Sequence, residues 1–567
     1  MASLADEIYR NIFANPKHSL VVYLLGTQLL QANSAPEAEM ALRCAQNLNP
    51  TSAEVHNNLG LSLARQGKYA EAVKCYDRAL IFRPAFPSAL MNKANALRLL
   101  GDVGAALTLY DTVLTLEAGT DAYYNRGAAL EELGRLDEAI AAYRSALILE
   151  PRSLNALNNL GNLLAATHQT DEALTVLDRA IDLDPRMAMS YINRAAALWR
   201  LRRFRAARSD LAQAIAVDPN LGAAWCSRGN IARETGNIDA ALADYAKALA
   251  INPHDTQALW NRGQTRLLLG NWSQGWADYE LRQPKAAGKA HFFTMPEWAG
   301  EDLRGRRILL FSEQGLGDAI QLSRFAGLLS QHGANVTLLV PARLRRLLDQ
   351  LKDVTVVGEV SETDQFDFWA PLMSLPRYLG FAPNRIPAAP MPYLRAESDR
   401  ISSWATRIGY HGRKIGICWQ AGSPAGGVNT GRSIPLQNYA PLANLPGVRL
   451  ISLQSGAGLD QLQDLPNDMK VETWPDLDAG PDGFLDTAAV IANLDLVVTC
   501  DTSVAHLAGA LGKPVWLGLK LVPDWRWLLN RADTPWYPTM RLYRQHTLDS
   551  WVDVFADIVA DLHTLPF

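Results

Sequence analysis

Hydrophobic and polar positions along the first half of the chain recur with a fixed period. Prolines fall at Pro50, Pro84, Pro151, Pro185, Pro219 and Pro253, with Ala118 filling the one gap, and the spacing is 34 residues with a single 33. Alanines return in phase at Ala38, Ala72, Ala106, Ala139, Ala173, Ala207 and Ala241, and a small residue at Gly26, Gly60, Ala94, Gly127, Gly161, Ala195, Gly229 and Gly263. Self-similarity at this period predicts stacked units that bury their apolar faces against one another. After Arg306 the pattern changes. RRILLFS reads as a buried strand, Glu313-Gln314-Gly315-Leu316-Gly317 as a loop and Asp318 to Ser330 as a helix, with strands at Asn335 to Val340, Thr355 to Val360 and Phe366 to Ala370. From Lys414, IGICW starts another strand, followed by the loop AGSPAGGVNTGRS, a helix near Leu436 to Leu445 and a strand RLISLQ. The stretch Leu496 to Gly512, LVVTCDTSVAHLAGALG, reads as strand, polar turn and helix, with Val515 to Leu519 as the next strand. Its turn opens at the C-terminal edge of a parallel sheet.

The repeat period and the pattern GxxY/LxEAxxxYxxALxxxP resemble the tetratricopeptide repeat. That resemblance implies a pair of antiparallel helices per unit, with small residues where the two helices cross and a proline ending the second. Seven full repeats and a truncated eighth, from Trp260 to about Arg282, are expected to form a right-handed superhelix over residues 1–284. Trp272, Trp276 and Tyr279 are expected to cap the array against the next domain, across a linker at 285–305.

One repeat position carries more than packing. Asn58, Asn92, Asn125, Asn159, Asn193 and Asn261 share a phase, with Ser227 standing in once and Leu24 in the first unit. A carboxamide lining a groove can donate to a backbone C=O and accept from a backbone N–H of an extended peptide. The arrangement resembles the asparagine ladder of O-GlcNAc transferase, a repeat-fused glycosyltransferase. It points to a protein acceptor held as an extended peptide; the competing reading is that these amides pin neighbouring repeats or solvate the groove.

The candidate chemistry of the second half centres on Asp501-Thr502-Ser503. A helix start offers free backbone N–H groups, the positive end of the dipole and here two hydroxyls, a set suited to a diphosphate. An ordinary capped helix in a βαβ unit is the alternative. DTSVAHLAGALGKPVW, followed by PDWRWLLNRADTPWYPTMRLYRQ, resembles the nucleotide-sugar site of bacterial glycosyltransferases related to the heptosyltransferases. It is most similar to those fused to tetratricopeptide repeats, among them flagellin glycosyltransferases, and the likeness runs from Arg306 to Gln545. This implies a GT-B architecture of two doubly wound α/β domains: an acceptor half at 306–400 and a nucleotide-sugar half at 401–567, with the final helix, Leu548 to Leu562, packing back toward the first half.

Gly315 and Gly317 of the GLGD turn let backbone approach a donor, and Asp318 starts the helix. In related heptosyltransferases a matching aspartate is taken as the general base, so the resemblance assigns Asp318 the deprotonation of an acceptor Ser or Thr hydroxyl, with inversion. A helix cap is the other role open to it, and Glu313 is a further candidate base. The loop Gly422 to Ser433 can wrap phosphate, with Arg432 its only basic residue where relatives often have more. His506 can reach phosphate or ribose, Asp501 a sugar hydroxyl and Gln454 the base. Arg526, Trp525 and Trp527 either line the donor pocket or pack. Asp476-Leu477-Asp478 matches a DxD string without strand context, and no metal is expected.

Composition narrows the classes. The 567 residues are 48% hydrophobic and 20% charged with a net charge of −4, which offers no basic field for nucleic acid or a membrane surface. Five dispersed cysteines spell neither a disulfide framework nor a CxxC site. The acidic start MASLADEIYRNIF and the lack of a spanning apolar run read as cytoplasmic, with no membrane span. The expected activity is metal-independent transfer of a sugar from a UDP-, other NDP- or CMP-sugar to a flagellin-like protein, without a cofactor. The competitors are a repeat scaffold with an inactive transferase fold and a transferase acting on lipid or polysaccharide.

Overall fold

The computed structural model describes residues 19–282, 295–361, 364–382, 391–422, 431–466 and 468–564. The chain divides into two compact units, Met1–Val217 and Asp218–Phe567.

The first unit is a helical repeat array. Its described residues form helix pairs from Ser19–Gln31 with Ala35–Leu48 to Ala188–Arg200 with Phe204–Val217. The helices alternate between 13 and 14 residues. The phased alanines Ala38, Ala72, Ala106, Ala139, Ala173 and Ala207 are each 0% exposed, so the period marks the inner face. At Gly127 a Cβ would stand 2.7 Å from the Tyr143 ring, which leaves no room for a larger residue at that crossing. The second helices end just before their prolines, as at Leu183 and Pro185, with Ala118 in that place after Val103–Leu116.

The second unit begins with two more pairs, Gly222–Glu234 with Ile238–Ile251 and Thr256–Leu268 with an 8-residue helix Trp272–Tyr279. Strands β1 (Arg307–Phe311), β2 (Asn335–Leu339), β3 (Val354–Val357) and β4 (Phe368–Pro371) form a parallel sheet in the order β3-β2-β1-β4. A second parallel sheet holds β5 (Arg413–Cys418), β6 (Val448–Ser452), β7 (Val471–Glu472), β8 (Leu496–Cys500), β9 (Val515–Leu519) and β10 (Met540–Arg544), in the order β10-β9-β8-β5-β6-β7. The fold class expected from the sequence, a helical solenoid followed by α/β layers on parallel sheets, is the one observed. Among the described residues no helix is long and apolar enough to cross a membrane.

One apolar cluster unites the end of the repeats with both sheets, from Leu267, Trp272 and Trp276 through Ile308 and Val497 to Trp525 and Trp536. Trp276 meets Trp525 edge-on with ring centres 5.1 Å apart, and Trp272 stacks on Trp536 at 5.9 Å. A nearly buried ion pair adds to this seam: Lys520, just past β9, donates to Glu234 at 2.8 Å. Repeats and sheets therefore share a core from Asp218 onward, although helix pairing runs on to Tyr279.

Some elements differ from expectation. The helix expected from Asp318 to Ser330 begins at Leu316 and divides into Leu316–Leu322 and Arg324–Gln331, where the Ser323 hydroxyl donates to the Ile320 carbonyl at 2.9 Å. The helix near Leu436 shrinks to two short turns, Leu436–Tyr439 and Ala440–Ala443, with Pro441 forcing a new start. The last helix is Val552–Thr564, and among the described residues its apolar face packs on the second sheet and not, as expected, on the first. Its face of Val554, Phe555, Ile558 and Leu562 is buried with Tyr439, Leu442 and Trp516 of the second. That apolar stripe is fully used there. The expected linker lies partly outside the described residues; from Met295 on it adheres to the first sheet, where the Trp298 N–H donates to the Trp369 carbonyl at 2.8 Å.

Candidate active site

In open α/β sheets ligands bind beyond the C-terminal strand ends, where strand order reverses. Here the neighbours β1/β4 and β5/β8 mark those reversals. The loops after β1, β5, β6, β8 and β9 converge on one cleft of about 930 Å3. Gly315, Gly317, Asp318, Arg432, Gln454, Asp501, Thr502, Ser503 and His506 all line it, together with Glu313, Arg343, Asp478, Asp524, Arg526 and Trp260.

Asp318 sits in the first turn after β1. One carboxylate oxygen accepts the Gly315 N–H at 2.9 Å, so it does cap its helix. The other is held by Arg526 Nη2, from the turn after β9 in the other sheet. Arg526 is nearly buried, and its remaining nitrogens donate to Gln321 Oε1 and Asp524 Oδ1, both at 2.7 Å. Burial opposes its charge, but the carboxylates of Asp524 and Asp318 outweigh that and hold the guanidinium above its ordinary pKa.

Glu313 lies in the same loop. Burial raises its carboxyl to about 7, against the pull of Arg282, whose Nη2 lies 2.5 Å from Oε1. Arg282 follows the last repeat helix and also meets Glu280 at 3.1 Å and Ser374 at 2.9 Å. Two carboxylates thus share one guanidinium, all three side chains at most 5% exposed.

On the opposite wall the helix Ser503–Ala510 starts at Thr502, which makes no side-chain cap bond. This leaves its first N–H groups and dipole facing the cleft. His506, one turn in, stacks on Trp527 at 5.4 Å and meets the Tyr537 hydroxyl through Nδ1 at 3.1 Å. Burial, with Arg526, Arg324 and Arg432 nearby, keeps its pKa well below the ordinary imidazole value, so the ring is neutral. A Cβ on Gly317 would stand 2.9 Å from His506 and 3.3 Å from Ser503, so only glycine lets the two helix starts meet. Asp501 is pushed up by burial and by Asp524. Gln454 accepts from the backbone N–H groups of Trp419 and Gln420 at 3.1 and 2.9 Å and from Cys418 Sγ at 3.3 Å, and donates to the Gln420 and Ala457 carbonyls at 3.1 and 2.9 Å. It braces two strand ends.

Arg432 reaches the Gly422 carbonyl at 3.4 Å; residues 423–430 of that glycine-rich loop lie outside the described residues. Arg343, absent from the sequence-based set, forms no ion pair among the described residues. Both DxD carboxylates have partners: Asp476 pairs with Arg407 at 2.8 Å, and Asp478, on the cleft wall, accepts from Thr487 Oγ1 at 2.5 Å and the Asp486 N–H at 3.0 Å. Sequence alone also gave Trp260 no role, and left Arg526 between pocket and packing. Neither has a local signature, since each reaches the cleft only through tertiary contact.

The ladder asparagines lie on the first helix of their repeats. Their amide nitrogens reach back to the preceding unit: Asn58 to the Tyr23 hydroxyl at 3.2 Å, Asn92 to Asn57 Oδ1 at 3.0 Å, Asn159 to the Tyr124 hydroxyl at 3.3 Å and Asn193 to the Asn158 carbonyl at 3.4 Å. Asn125 approaches Met91 Sδ at 3.8 Å and the buried Asn261 approaches Cys226 Sγ at 3.5 Å. Among the described residues, the carboxamide oxygens of Asn92, Asn125, Asn159 and Asn193 accept no bond.

Comparison with known proteins agrees with this division. The profile of glycosyltransferase family 9 (heptosyltransferase) matches residues 450–519, the span from β6 to β9 that carries Gln454, Asp501, Thr502, Ser503 and His506. Tetratricopeptide-repeat profiles match residues 23–89, 57–123 and 158–225, and 120–153 and 222–255. Protein FlbA of Caulobacter vibrioides is 26% identical over 319 residues, which cover 50% of this chain and 51% of FlbA. RNA polymerase II-associated protein 3 of Homo sapiens is 35% identical over 103 residues, 18% of this chain and 16% of that protein. The chain thus spans about half the length of FlbA and far less of the human protein. Among solved structures, a tetratricopeptide repeat protein from Parabacteroides merdae is 22% identical and covers 44% of this chain and 99% of its own, with a TM-score of 0.38. The Cut9–Hcn1 hetero-tetramer is 18% identical over 44% of this chain and 52% of the matched one, with a TM-score of 0.36. The chain thus resembles tetratricopeptide-repeat proteins over residues 23–255 and family 9 glycosyltransferases (heptosyltransferases) over residues 450–519.

Proposed function

We propose that the protein is an inverting, GT-B-type glycosyltransferase that moves a sugar from a nucleotide-sugar to a Ser or Thr hydroxyl of a protein acceptor. The flagellin-like acceptors of the resembling enzymes are the first to test. The observation that carries this reading is the convergence of Asp318 and the helix start Thr502-Ser503, from two different sheets, on one cleft of about 930 Å3. In the proposed step Asp318 takes the hydroxyl proton as the oxygen attacks the anomeric carbon. The bond from that carbon to the phosphate oxygen breaks, and the nucleotide leaves with the electron pair. The helix N-terminus, Arg432 and Arg343 meet the charge of the leaving phosphates, because Arg526 is already committed to two carboxylates. A carboxylate offers about four acceptor sites, so Asp318 can hold its cap and ion pair and still take a hydroxyl. Glu313 is a second candidate base, favoured by a pKa of about 7 in the same cleft.

The acceptor is proposed to lie along the repeats, with the carboxamide oxygens of the ladder accepting from its backbone N–H groups. Screening UDP-, GDP-, ADP-, dTDP- and CMP-sugars by thermal shift tests the donor half. A ligand of the cleft raises the melting temperature by mass action, and a flat response to all five would reject a nucleotide-sugar site.

A further inference from the structure

Trp260 stands at an incomplete rung of the repeat array. In the units where an asparagine occupies the ladder position, it bonds the residue one place ahead of that position in the preceding unit. Tyr23 is met by Asn58, Tyr124 by Asn159 and Cys226 by Asn261. Trp260 occupies the same phase, 34 residues after Cys226. Among the described residues no further repeat follows it, since the chain passes from Tyr279 toward β1. The side chain lines the cleft instead, and its Nε1–H is buried without a hydrogen-bond partner. An indole N–H is a donor only, and leaving it unpaired away from water is costly unless a ligand satisfies it.

The position of the ring is fixed from behind. Asp255 caps the helix Thr256–Leu268 through two N–H groups at 3.0 Å, and the helix packs on the Trp525–Trp527 turn. That turn carries Arg526, which holds Asp318. Trp260 therefore shares the cleft with Asp318 and packs beside the turn that holds it. We propose that Trp260 is the acceptor-positioning residue: its indole supports a polypeptide segment and its Nε1–H donates to a main-chain carbonyl of that segment. A backbone carbonyl is the partner favoured because the indole N–H can only donate, and any polypeptide presents a carbonyl regardless of sequence. A large, rigid, amphipathic ring with one donor suits that task. The inference rests on the transferase reading of the cleft for its role in transfer, but not for the contact itself.

The test uses the full chain. A displayed library of serine- and threonine-containing dodecapeptides is selected on the wild type, and the enriched peptides are measured on Trp260→Phe and Trp260→Ala, beside UDP, GDP, ADP, dTDP and CMP. Trp260→Phe, which keeps a ring and loses the N–H, should weaken peptide binding about fivefold. Trp260→Ala should weaken it at least about tenfold. Nucleotide affinity should change in neither, and Trp260→Phe should melt with the wild type. Peptide affinity untouched by Trp260→Phe, no peptide enriched at all, or a fall in nucleotide affinity matching that for peptide would each overturn the inference. A chain that binds none of the nucleotides yet loses peptide through Trp260→Phe would reject the transferase reading and leave the polypeptide contact standing.

Discussion

The guanidinium of Arg526 is bound to the carboxylate of Asp318, and the two residues follow strands of different sheets, β9 and β1. One arginine, itself tied to Gln321 and Asp524, thereby sets where the candidate base stands. Arg526→Lys keeps a charge but cannot make the three-way fork. It should lower the rate of transfer at least about tenfold and cost about 2–4 kcal/mol of stability, since breaking a buried pair strands its partners. Initial rates and urea melts on that variant check both, and a rate equal to wild type would detach Arg526 from catalysis.

The two candidate bases separate by substitution. Asp318→Asn retains shape and the acceptor for the Gly315 N–H but loses the ability to take a proton. Transfer should fall about 100-fold or more with nucleotide binding within about twofold of wild type. Glu313→Gln should keep transfer within a few-fold. The reverse ranking in single-turnover assays would move the base to Glu313.

Glu313 also predicts a pH dependence of stability. Its carboxyl, raised by burial from 4.5 to about 7, keeps its proton in the fold where the unfolded chain has released it. Its contribution is complete below the unfolded value and is lost as pH rises through the folded one. The wild type should therefore lose melting temperature between about pH 5 and about pH 8, and Glu313→Gln should flatten that slope. Parallel slopes for the two proteins would show that the cluster with Arg282 holds no proton.

Donor affinity should depend on Arg343 as well as Arg432. Replacing either by Ala removes one charge-assisted contact to phosphate, a loss of about 1.5–3 kcal/mol. Titration calorimetry with the nucleotide found by thermal shift measures it. Unchanged affinity in Arg343→Ala would leave that arginine as surface charge.

In the ladder, the two roles of asparagine predict different melts. Asn159 bonds the Tyr124 and Tyr143 hydroxyls at 3.3 and 3.2 Å, so Asn159→Ala should lower stability by about 1 kcal/mol. Asn125 and Asn193 hold longer contacts, and their double Ala variant should melt near the wild type while binding acceptor several-fold more weakly. Acceptor affinity unaltered in the double variant would leave the amides as pins between repeats.

The repeat period is legible because Ala38, Ala106 and their kin are fully buried small residues that return at a fixed spacing. The turn at Thr502 was legible because a strand, a polar break and a helix sit side by side in the chain. Arg526 was not, since its meaning depends on Asp318, 208 residues away. Gln454 lines the cleft and also bonds the backbone of Trp419, Gln420 and Ala457; a buried amide looks the same in sequence whichever of these it serves. The final helix was placed by likeness, but its partner is chosen by Tyr439 and Phe555, whose rings meet at 4.8 Å.

The pairing of Lys520 with Glu234, beside the stacked tryptophans, has a consequence for descent. Repeat arrays are easily lengthened, shortened or exchanged by recombination, because each unit contacts only its neighbours. Here the last two helix pairs are welded to the sheets, so a crossover at the apparent end of the array would cut through a common core. New arrays could be grafted only ahead of Asp218, and the final repeats should travel with the transferase as one inherited piece.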